Sequence, residues 1–147
     1  ADDGIDSNHG QLQNGVAFSA GKVNQAFNFD GMDDGVLISN PANLHLQDLT
    51  ISGWIKLDTL NIDYAERIAG YSIGGYGFFL AGSPLVNPNG ASAVRQLGFD
   101  KVGFDMVASP FAINDLQWHH VAVTKSGGVV TFYLDGVTIL SGPAKSG

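Results

Sequence analysis

The chain contains no cysteine. Disulfide scaffolds, thiolate zinc sites and cysteine nucleophiles are thereby excluded together. Glutamate is nearly missing: Glu66 is the single one, and the other acids are aspartates. Charge of either sign is scarce at 14% of residues, and 14 acids against 7 bases leave a formal charge of -7. A chain of this kind grips neither phosphate backbones nor anionic lipid, so nucleic acid and membrane are not expected partners. No apolar run approaches the ~18 residues that a membrane span requires.

What is abundant points the other way. The 147 residues are 44% hydrophobic, enough for one domain over 1–147 with a sizeable core. Glycine supplies 20 residues. Asparagine adds many more turn formers, while Val, Ile, Thr, Phe and Tyr are plentiful. Few strong helix formers and many β-branched and aromatic residues predict short strands joined by turns.

The strand pattern is clearest in Leu49–Leu57, LTISGWIKL. Leu49, Ile51, Ile55 and Leu57 share one parity; Thr50, Ser52, Trp54 and Lys56 share the other. Such alternation sets one face in a core and leaves one face more polar. Further strands are expected at Val16–Ala20, Ala26–Phe29, Val36–Ser39, Ile68–Ile73, Gly77–Leu80, Gln96–Phe99, Phe104–Ala108, Trp118–Lys125, Val129–Leu134 and Val137–Leu140. Asp2 to Gly15 reads as a polar, turn-rich stretch. Ala81–Val94, with Pro84, Pro88 and Asn89-Gly90, reads as a long loop. Ser126-Gly127-Gly128 and Asp135-Gly136 are hairpin turns, because their residues tolerate positive φ. The fold class is therefore all-β, an antiparallel two-sheet sandwich.

Five segments in order resemble LamG-like jelly-roll domains of the concanavalin A-like lectin/glucanase superfamily. They are Asp6-Ser7-Asn8-His9-Gly10-Gln11-Leu12; Gly21-Lys22-Val23 through Phe29-Asp30-Gly31-Met32-Asp33-Asp34; Leu49-Thr50-Ile51-Ser52-Gly53-Trp54-Ile55-Lys56; Trp118-His119-His120-Val121-Ala122-Val123-Thr124; and Tyr133-Leu134-Asp135-Gly136. The resemblance implies a jelly-roll sandwich and a secreted or cell-surface setting. It also implies a bacterial source, with which the lack of any Asn-x-Ser/Thr sequon agrees. Members usually continue past the last hairpin into a closing strand. Here Ser141 to Gly147 shows none, so a fragment, an unusually short variant and completion by another chain are all open. An uncovered sheet edge would invite self-association.

Glycoside hydrolases of this superfamily need paired carboxylates about 5–9 Å apart. With Glu66 alone, their E-x-D-x-x-E strand motif is absent. Asp100 and Asp105 are read as turn carboxylates, and no Gly-x-Ser-x-Gly elbow occurs. The expected role is therefore non-catalytic: a carbohydrate-binding, lectin-like module. The alternative is an adhesion or scaffold module that binds protein. Sugar recognition needs flat aromatic faces and planar polar groups. Arg67, Tyr71, Tyr76, Asn87, Asn89 and Arg95, in or near the irregular middle, are the candidate ligand residues. The resemblance implies that Trp54 and Trp118 lie in the core, under a loop or at a sheet edge, while parity sets Trp54 opposite Ile51 and Ile55, which leaves a ligand face open to it. Asp30, Asp33 and Asp34 share one glycine-bounded turn, and Asp6 with Asn8 forms a second oxygen-rich turn. Together they are the candidate ligands of a structural calcium ion, which takes six to eight oxygens. His9, His45, His119 and His120 do not form a zinc set, since adjacent residues of a strand face opposite ways.

Overall fold

A computed structural model describes residues 2–39, 42–71, 75–82, 94–101 and 106–143. The backbone divides into two compact units, Ala1–Leu46 and Gln47–Gly147.

The first unit holds two small antiparallel ladders. Strand β1 (Gly10–Gln13) pairs with β4 (Gly35–Ile38), and β2 (Ala17–Ala20) pairs with β3 (Gln25–Asn28). A 3₁₀ turn, Ala42–Leu44, follows. Asn14 (φ 60°) and Asn24 (φ 54°) occupy the left-handed region at the turns flanking β2. Asparagine does this at little cost, which is why these positions punctuate the chain. Phe18 faces Phe27 across the β2–β3 register, with ring centroids 5.3 Å apart. Strand β1 lies inside the stretch read from sequence as turn. Its Gly-Gln-Leu-Gln carries little apolar signal, and long-range pairing with β4 makes it a strand.

The second unit is the sandwich. Its strands are β5 (Leu49–Ile55), β6 (Glu66–Gly70), β7 (Tyr76–Leu80), β8 (Gln96–Lys101), β9 (Met106–Ala112), β10 (His119–Ser126), β11 (Val129–Leu134) and β12 (Val137–Pro143). One sheet runs β12-β11-β10-β5 and the other β6-β7-β8-β9, antiparallel throughout. Phe78, Leu80, Leu97 and Phe99 of the second sheet meet Val121, Val123, Val130 and Phe132 of the first. Each such side chain contributes about 1.5–3 kcal/mol on burial. The inward parity of β5 (Leu49, Ile51, Ile55) packs against this core, as its alternation predicts.

Register also sets which side chains face outward. Trp54 belongs to the outward parity of β5 and is 44% exposed, its ring edge-on to His120 at 5.3 Å. This corrects the core placement that the resemblance implies and keeps the outward parity; β5 stands at the end of its sheet. Trp118 is half-buried. The expected start of β9 at Phe104 lies outside the described residues; the strand runs past Ala108, where the sequence reading ends it, and includes Pro110. It lies at the end of its sheet, where a residue without an N–H is tolerated.

Candidate functional site

Arg67 and Asp100 are 33 positions apart, on β6 and β8. Strand β7 lies between them, and its Gly77 is the register partner of both Gly70 on β6 and Asp100 on β8. A Cβ at Gly77 would strike the Arg67 guanidinium and the Asp100 carboxylate, and one at Gly70 would crowd the Arg67 side chain. The two glycines thus form a bed on which the arginine lies flat. Its Nη1 reaches Asp100 Oδ1 at 3.5 Å, and its guanidinium carbon stands 5.8 Å from the Phe79 ring centroid. The Arg67 side chain is 43% exposed and that of Asp100 21%. The result is a planar donor beside a planar acceptor. Nη1 and Oδ1 alone meet in this pair, so the guanidinium and the carboxylate are not locked in a bidentate fork.

The other candidate ligand residues separate. Tyr76 turns inward, stacked on Phe99 at 5.3 Å and packed against the core, with Lys125 Nζ 5.3 Å from its ring. Tyr71 is half-buried, and desolvation raises the pKa of its phenol above the ordinary value. Arg95 is a clamp. Its Nε donates to Ile113 O, Nη1 to Leu60 O and Nη2 to Asn114 Oδ1, each at 2.8 Å. It adopts φ 67°, a conformation rare for a residue with a side chain. All three nitrogens are committed to the fold, so Arg95 has little left for a ligand. Asn87, Asn89 and Asp105 lie outside the described residues.

The acidic turn does gather. One carboxylate oxygen from each of Asp30, Asp33 and Asp34 lies within 4.8 Å of the others. Asp34 Oδ2 accepts from the Asp30 amide at 3.0 Å, and Asp30 Oδ1 from the Met32 amide at 2.8 Å. Asp34 Oδ1 is inaccessible and lacks a hydrogen-bond partner. Asp6 and Asn8 belong to a different turn. There Asp3 accepts from the Ile5 and Asn8 amides, which lower its pKa, and Asp6 Oδ2 accepts from Asn43 Nδ2 at 3.1 Å.

A further constellation was not visible from sequence. His119 Nδ1 lies 2.8 Å from Asp135 Oδ2, and its Nε2 lies 2.9 Å from Asp115 Oδ1. Asp115, four residues before His119 in a non-helical connection, supplies one contact. Asp135, a turn former by sequence, supplies the other.

A family model and one solved structure agree with this architecture. The family model described as the concanavalin A-like lectin/glucanases superfamily matches residues 30–147. No curated protein sequence matches. Domain 4 of an extracellular arabinanase from Geobacillus stearothermophilus, solved in complex with arabinotriose, is 20% identical with a TM-score of 0.66. The alignment covers 88% of this chain and 59% of that one. An S-layer domain-containing protein from Clostridium thermocellum is 22% identical with a TM-score of 0.46, over 90% of this chain and 58% of the other.

Proposed function

Since the chain belongs to the concanavalin A-like lectin/glucanases superfamily, we propose that it is a non-catalytic carbohydrate-binding module of a secreted or cell-surface bacterial protein. The observation that carries this reading is the open Arg67–Asp100 pair on its glycine bed. Sugar hydroxyls both donate and accept. A carboxylate beside a guanidinium offers both complements in fixed planes. The arabinotriose-bound domain of similar fold adds support from outside the chain. A site of one such pair binds weakly, with a Kd of about 1 mM, roughly -4 kcal/mol. Linkage to neighbouring domains converts weak single contacts into useful avidity.

The acidic turn complements this role as a structural calcium site. Oxygens around one calcium ion, each 2.3–2.6 Å from it, lie at most about 5 Å apart. The carboxylates of Asp30, Asp33 and Asp34 satisfy that limit, and Asp34 Oδ1 is in want of a partner. Bound there, the ion would fix the turn between β3 and β4.

A polysaccharide array read in calcium and in chelator tests both parts. We expect the native chain to bind at least one polysaccharide. Arg67→Ala and Asp100→Ala should each bind at least tenfold more weakly, a loss of about 1.4 kcal/mol. Calcium should raise the melting temperature of the native chain and not that of Asp34→Asn. Binding to no glycan in either condition would exclude the carbohydrate reading in favour of a scaffold role. An unchanged melting temperature at millimolar calcium would exclude the cation.

A further inference from the structure

His119 begins β10, its side chain 16% exposed, between two segments that are distant in sequence. Asp115 belongs to the connection after β9, and Asp135 to the tight β11–β12 turn at φ 51°. Asp135 is fixed independently of the imidazole. Its Oδ1 accepts from the His120 amide at 2.9 Å, and its own amide donates to His120 O at 2.8 Å. Asp115 is fixed too, since its Oδ1 accepts from the Gln117 amide at 2.8 Å. Both ring nitrogens therefore face carboxylate oxygens held by the backbone.

The chemistry of imidazole decides what this means. A neutral ring carries one N–H, so one of its nitrogens would turn a lone pair toward a carboxylate. Only the imidazolium donates at both positions. We propose that His119 is a proton-held clamp: its imidazolium ties the 113–118 connection to the β11–β12 turn, and loss of that proton releases one of the two carboxylates.

The surroundings are consistent. Among the described residues, the charges bearing on His119 are Asp115 and Asp135. Its register partner on β5 is Ile55, which carries none, and the neighbouring His120 pairs with Trp54 in the next register row. Burial acts to lower the His119 pKa, but the hydrogen bonds and charges of Asp135 and Asp115 outweigh it, and the balance lies above 6.5. Both carboxylates are held below the ordinary 3.8, chiefly by their hydrogen bonds to His119. The raised histidine contributes its stability in full below the unfolded value of 6.5 and loses it as pH rises through the folded value. The lowered carboxylates contribute above 3.8 and lose it as pH falls through their folded values. The clamp is closed between the folded values of the two carboxylates and that of the imidazole, a window that takes in mildly acidic solution. The segment it closes also includes Ile113 and Asn114, which hold Arg95.

Nitrogen-15 NMR titration of the imidazoles in the native chain tests the proposal directly. We expect His119 to carry protons on both nitrogens near pH 6 and to titrate with a midpoint above 6.5. Asp115→Asn and Asp135→Asn should each move that midpoint downward. Melting temperature should fall as pH rises through the midpoint, and this step should be absent from His119→Gln. A midpoint at or below 6.5, or a ring with one bare nitrogen near pH 6, would overturn the clamp. If His119→Gln does not fold, the titration of the native chain still decides.

Discussion

At the residue scale, the molecule shows how little a side chain's type says about its task. Arg67 and Arg95 are equally plausible sugar ligands by sequence. One lies open beside Asp100; the other donates three hydrogen bonds to the fold. Gln96 is the opposite case, an amide at 0% exposure whose Oε1 and Nε2 both lack partners. A buried polar group left unsatisfied costs about 1–3 kcal/mol. Gln96→Met keeps the shape and removes both polar atoms, so it should stabilise the fold by about 1–2 kcal/mol in urea unfolding. A loss of stability would mean that the amide is satisfied in solution.

At the element scale, glycines separate close approach from mere looseness. A Cβ at Gly82 would collide with the backbone of Tyr64, which cannot swing aside as a side-chain tip can. Gly53, in the middle of β5, has nothing within 4 Å of the same position. Gly82→Ala should therefore destabilise by about 1–3 kcal/mol. Gly53→Ala should be neutral or stabilising by up to about 1 kcal/mol, because alanine loses less backbone freedom on folding. Paired denaturant melts would check the contrast; equal costs at both positions would contradict the packing described. The strand positions themselves were legible where alternation was strong, as in β5, β10 and β11. They were not legible in β1, whose strand character comes from a partner more than twenty residues away.

At the scale of the whole molecule, the two units differ in how they are held. The apolar cluster of Phe78, Leu97, Val121, Val130 and Phe132 lies within Gln47–Gly147. In Ala1–Leu46, among the described residues, Val16 alone joins the buried hydrophobics, while Ile5, Val23 and Met32 are more than half exposed. Opening free energies follow buried apolar contact. Native-state hydrogen exchange should find the slowest amides in β7, β8, β10 and β11, and faster exchange throughout the first unit. Comparable protection in β2 and β3 would show that the first unit is stabilised by more than its own contacts.

The sequence by itself determined the class of fold, most strand positions and the hairpin turns. Those features are local: period-two alternation and left-handed turn residues act within a few positions. It also placed Trp54 with Thr50 and Ser52 on the outward parity of β5, which the structure keeps. It grouped Asp30, Asp33 and Asp34 because one turn holds all three. Only the tertiary structure set Arg67 against Asp100, committed Arg95 to Leu60 and Ile113, and closed two carboxylates on His119. Those pairings depend on strand order and register, which arise when two sheets share one core, and no short window of residues encodes them.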